Sequence, residues 1–230
     1  MEKFNRENQT EQIPQIEAED VFRDFIPEEF QVDPFGYFEK YGKNIKSGDI
    51  QRDETGKIKE DPTAVKDLPV WHNHNKDELY TVGKKVNIAK SQVEKSGDPF
   101  YEYSIMEIAH EFGLPAPEPI AKIKHGDDHL IIMRKVEGIR WTKDGMEPIN
   151  NSNLTEKDKK DMLFQAEKLM SEIQEKFEAI GLSRTWKLKD MIAQVDIPNK
   201  KVLGIVPTDW ERTKINKEKL EAVRKEMVRN

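Results

Sequence analysis

The tightest constraint in this sequence is one long amphipathic stretch at residues 155–180. In it Met162, Leu163, Ala166, Leu169, Met170, Ile173 and Phe177 recur at helical spacing. A helix with one apolar stripe and one charged face has to bury the stripe against a second layer of structure. Thr155, three residues ahead of Asp158, supplies a start signal resembling a capping box. From Leu68 onward the chain offers short strand patterns for that second layer. Residues 68–71 read as a short strand, and residues 78–82 and 86–90 as two more, joined by a tight turn at Gly83-Lys84-Lys85. Residues 99–112 read as a helix, with Ile105, Met106, Ile108, Ala109 and Phe112 at helical spacing and Gly113 placed to end it. Pro115, Pro117 and Pro119 enforce an extended segment. Residues 120–124 and 129–136 form a hairpin pattern around Gly126-Asp127-Asp128. Residues 191–195 and 202–206 form another, and a charged helix is expected at residues 216–228. Strands and helices in this order describe an α+β chain in two lobes rather than alternating βαβ units.

Residues 1–66 differ from the rest. They are polar and acidic, and Pro14, Pro27, Pro34 and Gly36 interrupt them. A short helix at residues 18–25 and an aromatic patch at Phe35, Tyr37, Phe38 and Tyr41 are too little for an independent core. The expectation is a partly ordered arm packing on the main domain, with a mobile linker at residues 47–61. Residues 67–136 then form a first lobe of strands and one helix, and residues 137–230 a reduced helical second lobe. Lys and Arg total 38 against 44 Asp and Glu, a net charge of -6, which argues against a large nucleic-acid footprint. The absence of cysteine excludes disulfides, thiolate metal sites and cysteine nucleophiles. No apolar run approaches the roughly 20 residues of a membrane span, and the first residues lack the apolar core of a secretory signal. The expectation is a cytoplasmic protein that does not engage membranes.

The charged residues that punctuate the strand patterns carry the functional argument. Phosphoryl transfer from ATP is mostly positioning and charge neutralisation. It uses a strand lysine at the phosphates, a helix glutamate that orients the lysine, and a later acid that holds the metal ions. Lys90 ends Val86-Asn87-Ile88-Ala89-Lys90, Glu102 lies early in the following helix, and Leu130-Ile131-Ile132-Met133 runs into the linker Arg134-Lys135-Val136-Glu137-Gly138. Asp209-Trp210-Glu211 follows the last strand pattern. The first of these segments resembles the Val-Ala-Ile-Lys strand of protein kinases. Glu102 through Gly113-Leu114-Pro115-Ala116-Pro117 is similar to the helix and proline-rich turn of the aminoglycoside phosphotransferases. Residues 132–138 are similar to their hinge, and Asp209-Trp210-Glu211 to their variant of the Asp-Phe-Gly motif. The resemblance, to the protein-kinase-like superfamily and its aminoglycoside phosphotransferase and small atypical-kinase branch, covers residues 68–212. It implies a two-lobed kinase-like fold with a minimal C-terminal lobe that binds ATP with Mg²⁺. It also implies phosphate contact at Lys90, which Glu102 orients, adenine contact near Met133, Arg134 and Val136, and metal binding at Asp209, with Asp190 as a second candidate.

The sequence departs from that family at two places. The His-x-Asp-x-x-x-x-Asn loop has no counterpart in residues 181–190. One register puts Thr185 at the catalytic Asp and Asp190 at the Asn, whereas a shifted register puts Lys187 and Ile192 there, so no catalytic residue is assigned. In place of a glycine-rich phosphate loop stands His72-Asn73-His74-Asn75-Lys76. His110, His125 and His129 read as surface or turn residues. Two functions follow from the resemblance. One is an ATP-dependent phosphotransferase with an unconventional catalytic loop, acting on a protein or small-molecule acceptor. The alternative is a catalytically inactive pseudokinase that serves as a regulatory or protein-binding module. An unrelated α+β interaction protein is the third reading.

Overall fold

A computed structural model describes residues 15–18, 28–41, 43–44, 65–71, 78–86, 95–126, 128–142 and 145–229. They form a mixed α+β fold of several helices and three sheets. Strands β1 (Gln15–Ala18), β2 (Lys43–Asn44), β3 (Val65–Trp71), β4 (Glu78–Lys85), β5 (Pro119–His125) and β6 (Asp128–Arg134) make one antiparallel sheet in the order β1-β5-β6-β4-β3-β2. Two of these strands come from the N-terminal arm: Gln15–Ala18 pairs with β5, and Lys43–Asn44 with β3. Ala18 therefore lies in a strand rather than opening a helix, and the rest of the expected 18–25 helix and the 47–61 linker lie outside the described residues. The aromatic patch falls in a helix of its own, α2 (Pro34–Tyr41), which follows α1 (Glu28–Val32). Phe30 of α1 meets Tyr37 edge to face at 5.5 Å.

The turn expected at Gly83-Lys84-Lys85 is strand. β4 runs through it because Gly83, Lys84 and Lys85 pair with Ile132, Ile131 and Leu130 of β6. Glycine and two lysines look like turn chemistry locally, but a neighbouring strand supplies partners for the backbone. Of the strand expected at residues 86–90, Val86 lies just past the end of β4 and is not in a strand, its N–H donating to the His129 carbonyl, and residues 87–90 lie outside the described residues. His129 is buried, against the expectation of a surface residue, with its ring 5.2 Å from that of Phe100.

Helix α3 (Tyr101–Glu111) crosses one face of this sheet and buries Ile105, Met106 and Ala109 in a core shared with Ile131 and Met133 of β6. It ends as its sequence requires. Gly113 takes φ +64°, the Gly113 N–H reaches the His110 carbonyl, and the Leu114 N–H reaches that of Ala109. After β6, β7 (Ile139–Arg140) leads through α4 (Glu147–Asn150) to the long helix α5 (Glu156–Ala179). Thr155 and Asp158 form the reciprocal capping box at its start. The α5 stripe buries Met162, Ala166, Ile173 and Phe177. Beyond it, β8 (Leu182–Ser183) pairs with β11 (Lys214–Ile215), while β9 (Met191–Asp196) is paired by β10 (Lys201–Pro207) on one side and β7 on the other. Helix α6 (Lys217–Met227), capped by Asn216, is tied to α3 by a two-bonded Arg224–Glu111 pair at 2.7 and 2.8 Å. No helix among the described residues is long and apolar enough to cross a membrane.

Candidate functional site

The site is built where α3, β4 and the segment after β10 meet. Lys84, near the end of β4, places its ammonium 2.8 and 2.7 Å from the two carboxylate oxygens of Glu102 in the first turn of α3. Both side chains are nearly sealed from solvent, 6% and 4% exposed, so neither charge is sustained by water and each depends on the other. Burial works against the Lys84 ammonium. Glu102 and then Asp209 more than offset it and hold its pKa above the ordinary lysine value. Glu102 also accepts the main-chain N–H of Trp210 at 3.3 Å, and the Tyr101 hydroxyl donates to the Thr213 carbonyl at 2.7 Å. These two bonds fasten the start of α3 to the residues around Asp209.

Asp209 is held from the other side. Arg184 donates from Nη2 to Asp209 Oδ2 at 2.7 Å, and the same nitrogen lies 3.9 Å from Asp190 Oδ2. The Trp186 indole donates to the Asp209 carbonyl at 3.3 Å. Trp186, Trp210 and Phe177 of α5 pack as three mutually contacting rings, with centroids 5.1 to 5.5 Å apart. The apolar stripe of α5 thus anchors the aromatic residues that bracket the acid. Burial pushes the Asp209 carboxyl up. Hydrogen bonding from Arg184, followed by the charges of Lys84 and Arg184, outweighs this and holds it below the ordinary carboxylate range. Arg140 of β7 donates to the Thr208 hydroxyl at 3.2 Å. Burial lowers its pKa against the opposing pull of Asp190 and Asp209. Asp190 closes a 3-10 turn, Leu188–Asp190, where its Oδ2 accepts the Lys187 N–H and its carbonyl accepts the Thr208 N–H.

A cleft of about 520 Å³ opens beside Asp209, and Arg184, Thr185, Lys187, Asp190 and Lys214 are on its wall. Lys84, Glu102, Met133, Arg134 and Val136 are not part of that wall. Of the residues singled out from the sequence, Asp209 and Asp190 meet at Arg184, and Glu102 reaches the main chain of Trp210 next to Asp209. Met133 lies two positions beyond Ile131, the β6 residue opposite Lys84. Arg134 ends β6, its side chain paired with Glu118 and its N–H with the Glu118 carbonyl, and the half-buried Val136 follows in the link to β7. Lys90 and the 72–76 segment lie outside the described residues, and the lysine that meets Glu102 is Lys84. Sequence reasoning missed Lys84, Arg184 and Arg140. The strand-forming run Tyr80-Thr81-Val82 stops at Gly83 in the sequence, so Lys84 gave no strand signal of its own.

Asp209 offers one ligand position to a metal ion: Oδ1 is buried without a hydrogen-bond partner among the described residues, while Oδ2 is taken by Arg184. Among the described residues no group of three or more His, Cys, Asp or Glu could hold a metal by itself. The donor set fits a Mg²⁺ ion that keeps most of its ligands from water and phosphate oxygens. No protein-family model and no curated protein matches this chain.

Proposed function

We propose that the chain is a kinase-like ATP-binding protein built around Lys84, Glu102 and Asp209. The observation that carries this reading is the convergence of a strand lysine, a helix glutamate and a late aspartate that are far apart in sequence: the Lys84–Glu102 pair is bonded to the main chain of Trp210, the residue after Asp209. Phosphotransferases of the kinase class use these three residue types, in this chain order, on a strand, the following helix and a late loop. Further support comes from the position of β6 beside β4, which leads an apolar strand from the lysine toward the 134–138 link that the resemblance makes an adenine hinge. In this role Lys84 supplies positive charge to the phosphates, Glu102 fixes the lysine's rotamer, and Asp209 offers Oδ1 to Mg²⁺. That ion, when bound, neutralises charge developing on the phosphate oxygens.

In a transfer reaction the bond between the γ-phosphorus and the ADP oxygen breaks as a bond to the acceptor oxygen forms, and the acceptor hydroxyl gives up its proton. No carboxylate stands at Thr185 to receive that proton, and Thr185 is exposed. The missing base is the ground for a second reading, a pseudokinase that retains nucleotide binding without turnover.

The test is thermal unfolding with and without ATP and Mg²⁺. The wild-type protein is expected to melt at higher temperature with the nucleotide, and Asp209→Asn is expected to remove the rise. No rise in the wild type under saturating nucleotide refutes both readings. Transfer of labelled γ-phosphate separates the enzyme from the pseudokinase.

A further inference from the structure

Resting on the phosphotransferase form of the kinase-like reading, we propose that the cleft beside Asp209 is the acceptor subsite and that it takes a small phosphate-bearing molecule. The whole chain is acidic, at net -6, yet this cleft is lined by five cationic side chains against three carboxylates. Two of those carboxylates, Asp190 and Asp209, are already drawn onto Arg184. Lys187, Lys189 and Lys214 face the same space, are exposed, and make no ion pair among the described residues. Arg184 supplies an independent pointer. Its side chain is 7% exposed, and although Nη2 is committed to Asp209, its Nη1 has no hydrogen-bond partner among the described residues. A guanidinium with one arm fixed and one arm unfilled, at the wall of a cleft lined by exposed lysines, is suited to a phosphate. The fork gives direction, and the lysines give charge without a fixed geometry. The volume, about 520 Å³, lies in the range of small-molecule sites.

The position separates this anion from the nucleotide's own phosphates. Lys84, the candidate for those, is buried against Glu102 and is absent from the cleft wall, whereas Lys189 sits in the 3-10 turn and Lys214 on β11. A cationic acceptor, by contrast, would meet uncompensated positive charge.

Calorimetric titration of the full chain with glucose 6-phosphate, with glucose as the neutral control and with ATP in separate runs, tests the proposal. Glucose 6-phosphate is expected to bind and glucose not to. The double variant Lys189→Ala/Lys214→Ala, confined to exposed side chains, is expected to lose about tenfold or more of the glucose 6-phosphate affinity while ATP affinity stays within about twofold. The anion site alone is overturned if wild-type protein binds ATP but not glucose 6-phosphate. It is also overturned if the double variant weakens both ligands equally. Tight binding of a single-stranded oligonucleotide that the double variant abolishes, with no glucose 6-phosphate binding, replaces the proposal with a polymer site. Binding of glucose 6-phosphate without any ATP response overturns the kinase-like reading and leaves an anion site that is not an acceptor subsite.

Discussion

Replacing Lys84 by Met tests the buried charge pair on which the site rests. Glu102 is 4% exposed, and without Lys84 its carboxylate keeps only the Trp210 N–H as a charge-stabilising donor. Stranding a buried charge in this way costs about 3–5 kcal/mol. The converse change, Glu102→Gln, is milder. The Lys84 ammonium stays within the fields of Asp209 and Glu211, and the new amide can still accept from Trp210. That loss is about 1–3 kcal/mol, the range for a buried group deprived of its bonded partner. Combining the two removes both charges, so the double variant Lys84→Met/Glu102→Gln is expected to lose at least about 2 kcal/mol less than the sum of the single losses. Urea unfolding followed by tryptophan fluorescence reads these differences. With a slope of about 2–3 kcal/mol/M, the Lys84→Met midpoint should fall by about 1–2 M and recover partly in the double variant, the slope itself unchanged. Additive single losses, with a coupling under about 0.5 kcal/mol, would refute the reasoning, because they would mean that the two side chains are independently solvated.

Two further outcomes follow from named bonds. Thr155→Ala removes the hydroxyl that accepts the Asp158 N–H at 3.2 Å, and is expected to lower stability by about 1 kcal/mol in the same urea assay. Stability is also expected to decline on acidification: hydrogen bonds from the Thr155 side chain and main chain, and from Lys200, lower Asp158 to about 2, and Arg184 and Lys84 hold Asp209 low. A carboxyl with a depressed native pKa binds its proton first in the unfolded chain. Its contribution is therefore complete above about pH 4 and lost as pH falls through the native value. Urea midpoints from pH 5 to about 2 check this, and Asp158→Asn should flatten the lower part of the curve.

Which parts of the molecule were legible depended on how local their causes are. Helix α5 could be read because seven apolar residues and a capping box within one segment all specify it. The α3 stop at Gly113 and the β9–β10 hairpin were readable for the same reason. Lys84 was not, since Gly83-Lys84-Lys85 taken alone has turn chemistry and only pairing with β6, some 45 residues later, makes it strand. β1 is four residues, Gln-Ile-Glu-Ala, with too little pattern to separate it from a loop until β5 supplies its partner. Arg184 escaped attention because its function is to meet Asp209, 25 residues away, and a lone arginine carries no periodicity. Glu102 and Asp209 were singled out from the chain order that the resemblance supplied, which periodicity lacks; the structure brings the Glu102 carboxylate to the main chain of Trp210, the residue after Asp209.

The geometry around Asp209 also says how its variants should be interpreted. The acid lies between two cations with different tasks: Arg184 bonds Oδ2 directly, and Lys84 acts across space while bonded to Glu102. Loss of the Asp209 charge therefore removes an anchor for Arg184 as well as a ligand position at Oδ1, and the nearest remaining carboxylate for Arg184 is Asp190 at 3.9 Å. Arg184→Lys separates the two effects. It keeps a positive charge near Asp209 but gives up the planar fork, so it disturbs the cleft wall while leaving Oδ1 in place. On the proposed reading, metal-facing and anion-facing atoms would share the one Arg184–Asp209 bond, and the two functions would be coupled: whatever draws Arg184 off Oδ2 would leave the Asp209 carboxylate more strongly attractive to a cation.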